Sequence, residues 1–303
     1  MRVPLRILGY FFGTLLAVSV LVFAIVHLTP GDIAAIHNLS AHTAHQLHLD
    51  RSVAAQYFLW LWGCLRGDFG ISMVNGASVS ALMIQYSPPT LILTFCGLSC
   101  SLLIALPLGI WRGLRPVSLA GKLTSLAAFT LSALPVFVLG YLVLGIVFGF
   151  FRVYITTPPE GPFQFWSYAG YYGLPIAVLA LGNGTVGEFI RFISLETQSI
   201  NRSMHMRAVR ARGAGLGRHL SRSLVLPVYN IVVTHMAVLL GGLVVVERVF
   251  NFHGLGWLSW EATLKRDFPV IMGIAMIMAV LIRVFMLVGD LLAWWLDPRL
   301  REN

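Results

Sequence analysis

Apolar residues gather in six long blocks along this 303-residue chain, at roughly 7–28, 90–111, 123–150, 170–190, 226–246 and 269–292. A helix needs about 20 apolar residues to cross the hydrocarbon core of a bilayer, and each block reaches that length. The pattern predicts an all-α, polytopic membrane protein whose six transmembrane helices form one domain over residues 1–303. The first block follows Arg2 and Arg6. It exceeds the about 7–15 apolar residues of a signal peptide and lacks a small-x-small cleavage site, so it reads as a retained first span. The first polar interval, residues 29–89, is too short for much of a core of its own. Its aromatic residues Tyr57, Phe58, Trp60, Trp62 and Phe69 predict a helix on the outer membrane surface or packed against the bundle, with an interfacial belt formed by Trp60 and Trp62 as the alternative.

The interval at 191–225 has a different texture. Met206, Val209 and Arg210 share a helical face with Gly213, and Gly213, Gly215 and Gly217 then interrupt the pattern. Helix, break, helix is the expected order, a hairpin that presents a short helix outward as a docking knob; a solvated loop or a patch facing anionic lipid is the plainer reading. Pro107, Pro135 and Pro175 fall inside apolar blocks, where a missing amide hydrogen invites a kink that serves either as a hinge or as a packing feature.

Composition supports the membrane assignment. Hydrophobic residues make up 57% of the chain and charged residues 11%, against about 25% charged in soluble domains, and the mean hydropathy is +0.81. The net charge of +9 is concentrated in short intervals between the blocks, without the aromatic interleaving of a nucleic-acid surface, so nucleic acid is not an expected partner. Arg2, Arg6, Arg112, Arg115, Lys122, the seven arginines from Arg191 to Arg222, Arg299 and Arg301 fall on one side: fourteen of the twenty-one basic residues. The opposite side holds Arg51, Arg66, Arg152, Arg248, Lys265 and Arg266. By the positive-inside rule both termini are cytosolic. Within the last block, Arg283 and Asp290 share a face about 10 Å apart along the axis, too far for easy pairing, and Arg283 is expected to snorkel or pack in the bundle, or else to line a substrate path.

Chemistry-bearing motifs are sparse. Cys64, Cys96 and Cys100 have no metal or redox spacing, and Cys96 and Cys100 read as small apolar residues on one helix face. His37, His42, His45 and His48 lie in the first polar interval, three of them spaced by three; surface histidines are the expected reading, and no metal site is assigned. Gly121-Lys122 lacks the remainder of a P-loop, and neither HExxH nor G-x-S-x-G occurs, so no catalytic residue is expected and any ATPase must be another chain.

Arg207-Ala-Val-Arg-Ala-Arg-Gly213, followed by His219-Leu-Ser-Arg222 and Leu226-Pro227, resembles the EAA loop of the dipeptide, oligopeptide and nickel class of binding-protein-dependent ABC importers, by which a permease grips its ATPase. The family pattern reads Arg-Thr-Ala-Arg-Ala-Lys-Gly, then His-x-Leu-Arg-Asn, then Leu-Pro. Arg207, Ala208, Val209, Arg210, Ala211, Arg212 and Gly213 cover the first block; His219, Arg222, Leu226 and Pro227 cover the second. Gly213 to His219 is shorter than in the family by about one helical turn, which keeps the following helix facing the same way and shortens the knob. The resemblance extends along nearly the whole chain, through Leu28-Thr-Pro-Gly-Asp32, Leu47-His-Leu-Asp50 with Gln56-Tyr57, Arg66-Gly-Asp-Phe-Gly70, Leu134-Pro135 with Phe137, Leu174-Pro175, Glu247-Arg-Val-Phe250, Gly254-Leu-Gly256, Arg266-Asp-Phe-Pro269, and Asp290 with Leu296-Asp-Pro-Arg299. His253 stands where the family commonly has proline.

The resemblance implies the type I importer permease architecture in a bacterial cytoplasmic (inner) membrane, and transport of short peptides driven by ATP hydrolysed elsewhere. It implies a second homologous permease subunit, two cytosolic ABC ATPases that carry the ATP and magnesium, an extracytoplasmic substrate-binding protein, and no cofactor on this chain. Residues 207–213, His219, Arg222 and Pro227 are then the docking element, and Glu247, Phe250, Gly254 and Gly256 belong to a loop near the outer mouth. Nickel or a metal chelate is the alternative cargo. An ion-gradient-driven secondary transporter is the alternative of another class, disfavoured because Glu188, Glu247 and Asp290 all fall near expected helix ends; a structural scaffold has only the lack of catalytic motifs behind it.

Overall fold

The computed structural model describes residues 2–29, 51–151 and 165–296. The four histidines at 37–48, Asp32, Arg152, Arg299 and Arg301 lie outside the described residues. Among the described residues the chain forms eleven α-helices: α1 (Arg2–Leu28), α2 (Val53–Leu65), α3 (Val79–Leu114), α4 (Leu119–Ala133), α5 (Val136–Ile146), α6 (Phe165–Leu181), α7 (Thr185–Arg202), α8 (Met204–Ala211), α9 (Leu216–Val249), α10 (Leu255–Leu264) and α11 (Phe268–Leu296). A π-helical turn (Val147–Phe151) extends α5, and a 3₁₀ turn (Gly182–Gly184) joins α6 to α7. Helices dominate because a chain crossing lipid must satisfy its backbone polar groups internally.

Four helices, α1, α3, α9 and α11, are long and apolar enough to cross a membrane alone. The pair α6 and α7, bent by 50° at the break between them, passes the same test together and gives a fifth if the two count as one span. The block at 123–150 is not one helix: α4 stops at Ala133 and α5 starts at Val136. Pro135 stands at the α5 N-cap with φ −60° and ψ 142°, and Leu134 before it is extended, as a residue preceding proline must be. Pro135 therefore breaks the helix, whereas Pro175 is carried inside α6 and Pro107 inside α3. Apolar composition also misplaced two starts. α3 begins at Val79 and α9 at Leu216, about ten residues before their apolar blocks, because both helices run from polar surroundings into the apolar zone without interruption.

The chain falls into two compact units, residues 1–89 with 253–303, and residues 90–252. In the first, Phe23 and Val26 of α1 pack on Phe268 and Met272 of α11. Tyr57 and Trp60 of α2 join this core, and the Tyr57 hydroxyl lies 2.9 Å from Ser19 Oγ. Phe58 and Trp62 are exposed on α2, with the Arg66 guanidinium 4.6 Å from the Trp62 ring centroid. The aromatic helix is thus anchored by one face and open on the other. Burial pushes its Cys64 thiol up to about 12. Asp267, which is buried, ties the 72–73 turn to the start of α11: Ser72 Oγ donates to one carboxylate oxygen and Met73 N donates to the other at 3.0 Å.

In the second unit, α7 is seated by small residues. A Cβ on Gly109 of α3 would come within 2.8 Å of Ile193, and one on Gly113 within 2.5 Å of Thr197. On another side, Gly187 lies against Ser132 and Ala128 of α4. Two helices at such close range gain dispersion contact that larger side chains would forbid. Gly109→Leu should therefore overpack this contact and cost about 1–3 kcal/mol, read as a lowered unfolding temperature of the purified protein in detergent. Gly9 of α1 has nothing within 4 Å of a Cβ, and Gly9→Ala should leave that temperature unchanged or slightly raised.

Candidate functional site: the exposed basic helix and its surroundings

The segment between α7 and α9 folds as helix, break, helix, with α8 as the short middle helix. Ser203 starts α8: it is extended at φ −63° and ψ 152°, and its Oγ accepts from Met206 N at 3.3 Å, an N-cap that satisfies one of the first free amides. The other end is a Schellman motif. Ala214 N donates to Val209 O at 3.2 Å and Gly213 N to Arg210 O at 3.0 Å, with Gly213 at φ +66°. A Cβ at Gly213 would meet nothing within 4 Å, so the demand for glycine comes from the left-handed backbone and not from crowding.

Two residues of α8 point inward. Met206 and Val209 are buried; Met206 packs with Leu220 and Leu224 of α9, and Ile110, Ile200 and Val228 close around them. The expected shared face of Met206, Val209, Arg210 and Gly213 is therefore divided: the first two anchor the helix, and Arg210 and Gly213 stay exposed. Arg207, Ala208, Ala211 and Arg212 are exposed as well, and Met204 stands out at 85% exposure. Arg210 Nη2 donates to Asn201 Oδ1 and to the Asn201 carbonyl at 3.3 Å, tying α8 to the end of α7. His219 is half-buried and Arg222 exposed on the first turns of α9, and the His219 ring meets His205 edge to face at 5.8 Å. Pro227 lies inside α9, which continues through it. The result is a short helix with an apolar underside and a cationic outer side, since Arg202, Arg207, Arg210, Arg212, Arg218 and Arg222 are all exposed.

Of the four residues assigned from sequence to the outer mouth, Glu247 and Phe250 belong to one compact unit and Gly254 and Gly256 to the other. Glu247 is fully buried and its carboxylate accepts from Thr90 Oγ1 at 2.7 Å. Phe250 is also fully buried. Asn251, at φ +50°, closes α9 with a bond from Phe252 N to Glu247 O at 2.7 Å. Gly254 is the N-cap of α10, and Gly256 is buried within it.

Among the polar pairs that sequence reasoning missed, one joins α7 to α9. His235 lies in the apolar block of α9, and its Nε2 is 2.7 Å from Glu188 Oε2 on α7. His235 is buried while the Glu188 side chain is 43% exposed. The ring is further held by Ile231 O, 3.2 Å from Nδ1, and by Phe189 at 4.9 Å. A histidine inside an apolar run was the available signal, because a polar side chain in a span is expected to find a partner. The partner, 47 residues away, was not visible.

Residues 105–302 match the family described as binding-protein-dependent transport system inner membrane component. The chain is similar to a glutathione transport system permease protein of Salmonella typhimurium, 32% identical over 98% of this chain and 97% of the relative. It is also similar to an oligopeptide transport system permease protein of Bacillus subtilis, 30% identical over 94% and 95% respectively.

The Schellman turn separates conformational from steric effects at Gly213. Gly213→Asn should be nearly silent, since asparagine tolerates a positive φ. Gly213→Val should cost about 1–2 kcal/mol of local stability, about 5- to 30-fold in the opening of this turn. Trypsin cleavage after Arg212 in the purified protein reads the difference.

Proposed function

This chain belongs to the family of binding-protein-dependent transport system inner membrane components, and from that premise we propose that it is the permease subunit through which an ATP-driven importer moves short peptides across a bacterial cytoplasmic membrane. It is a multi-pass, non-catalytic membrane component whose transport system depends on a substrate-binding protein and an ATPase. In the full reading it pairs with a second homologous permease, two cytosolic ATPases that bind ATP and magnesium, and one extracytoplasmic binding protein. The chain then acts as one permease domain crossing the membrane six times, by α1, α3, α4 with α5, α6 with α7, α9 and α11, with both termini cytosolic.

One observation carries the docking role: α8 is capped at both ends, fixed underneath by Met206, and presents arginines outward. A rigid cationic helix of this kind suits an acidic or carbonyl-lined groove on a partner. Arg207, Ala208, Arg210, Ala211, Arg212 and Gly213 with His219 and Arg222 supply that surface over the buried Val209, while Pro227 lies further along α9. ATP-driven closure of the ATPases moves α8, and α7 and α9, which enter and leave it, carry the motion into the membrane. The permease thereby shifts between inward- and outward-facing states. Relatives named for glutathione and oligopeptide transport favour peptide cargo over nickel, and a family defined by its binding protein favours ATP-driven import over an ion-gradient carrier.

Affinity purification of the chain, co-expressed with the products of its neighbouring genes, should recover an ATP-hydrolysing partner. Gly213→Glu should insert in the membrane yet lose that partner or the coupled transport. Full recruitment and transport by this variant would refute the docking assignment. In a background lacking Cys64, Cys96 and Cys100, Met204→Cys should react with an impermeant thiol reagent only from the cytosolic side and Val74→Cys only from the outer side. The opposite pattern would invert the topology.

A further inference from the structure

Helix α7 is covered on three sides. Gly109 and Gly113 of α3 press on Ile193 and Thr197, Ser132 of α4 sits against Gly184 and Gly187, and His235 of α9 holds Glu188. Among the described residues the fourth side is open. Glu188, Arg191, Leu195, Ser199 and Arg202 are half-exposed or exposed, and their spacing of three and four residues aligns them in one stripe about 21 Å long. Four of the five are polar, three of them charged. The exposed side of α1 is the opposite case, with Leu16, Val20 and Ile25 turned outward, a surface that lipid accepts. The α7 stripe is of another kind: it starts at the end of the fourth apolar block and by the basic count runs toward the cytosolic side, and its charges call for water or a polar ligand.

The chemistry of the stripe is specific. His235 takes Oε2 of Glu188 and fixes the direction of the carboxylate, while Oε1 has no partner among the described residues. Arg191, one turn on, makes no hydrogen bond or ion pair among the described residues, and the two do not pair with each other. They are neighbours on the helix surface, with Cβ atoms about 5–6 Å apart. One anchored carboxylate beside one free guanidinium is complementary to a small molecule carrying both an ammonium and a carboxylate.

Resting on the importer reading, we propose that the open stripe of α7 lines the translocation path as a subsite for the two charged ends of a short peptide. Glu188 receives the terminal ammonium and Arg191 the terminal carboxylate. His235 is a positioning residue, keeping the Glu188 carboxylate aimed into the path. Leu195, one turn beyond Arg191, gives the peptide an adjoining apolar surface, and Arg202 continues the stripe to the docking helix α8.

The test uses the assembled importer in proteoliposomes, with Cys64, Cys96 and Cys100 replaced by serine. Leu195→Cys should react with a charged methanethiosulfonate at least about ten-fold faster than Leu16→Cys, because one side chain faces water and the other lipid. Without the binding protein, millimolar Ala-Ala should slow this reaction about three-fold or more, and its N-acetylated, C-amidated counterpart should not. Adding Glu188→Gln or Arg191→Gln should remove the protection while labelling stays fast. Labelling no faster than at position 16 would mean that lipid or a partner helix covers the stripe, and would overturn the proposal. So would equal protection by both peptides, or protection that survives both substitutions. ATP-driven uptake of Ala-Ala with the binding protein is measured in parallel. Its presence with an unprotected stripe refutes the subsite alone; its absence in the wild-type assembly refutes the importer of short peptides and the subsite with it.

Discussion

Close approach at α7 is the constraint on which the membrane part of the second unit depends. In lipid, packing leucine against leucine gains nothing that the acyl chains do not already offer, so helices are held by intimate backbone contact and by polar pairs. α7 uses both. Gly109, Gly113 and Gly187 remove the side chains that would hold its neighbours away, and Glu188 with His235 adds a directional bond to α9. The surfaces consumed this way leave α7 one free face. That face can be polar because the packing does not need it to be apolar.

The same seating gives α8 its mechanical value. A loop that merely dangled from the membrane would absorb a partner's movement as its own conformational change. Here Met206 rests among residues of α3, α7 and α9, and Arg210 is tied back to Asn201. The caps at Ser203 and Gly213 fix where the helix begins and ends. Displacing α8 therefore means displacing packed helices, which have few intermediate arrangements, and that is how a small movement at an interface becomes a change of state.

How much of this was legible from the chain depends on the range over which each signal acts. Apolar blocks revealed helical spans, because crossing a bilayer imposes length and composition locally. Glycine after a short amphipathic stretch revealed the α8 break, because a left-handed residue is a local demand. Proline at 135 was visible, but whether it kinks or breaks a helix depends on the extended Leu134 before it and on what neighbouring helices can satisfy. The start of α3 at Val79 was hidden because hydropathy marks the apolar zone, and a helix does not stop at its edge. Glu188 with His235, and Glu247 with Thr90, join residues 47 and 157 positions apart. No local pattern carries such pairings.

Three carboxylates show how partners decide what an acid can do. Asp267 has both oxygens committed to Ser72 and Met73 and is buried; it fixes a turn to a helix and has nothing left to offer a ligand. Glu247, assigned from sequence to a loop near the outer mouth, is fully buried and accepts from Thr90, so it joins α3 to α9. Glu188 differs in that a single oxygen is engaged, by a buried histidine, while close to half of the side chain is exposed. A half-paired carboxylate at a helix surface in a membrane bundle costs free energy that full pairing would have recovered. Retaining it half-open is reasonable where that open oxygen meets something that passes, and the arginine one turn further on narrows what that passing molecule must carry.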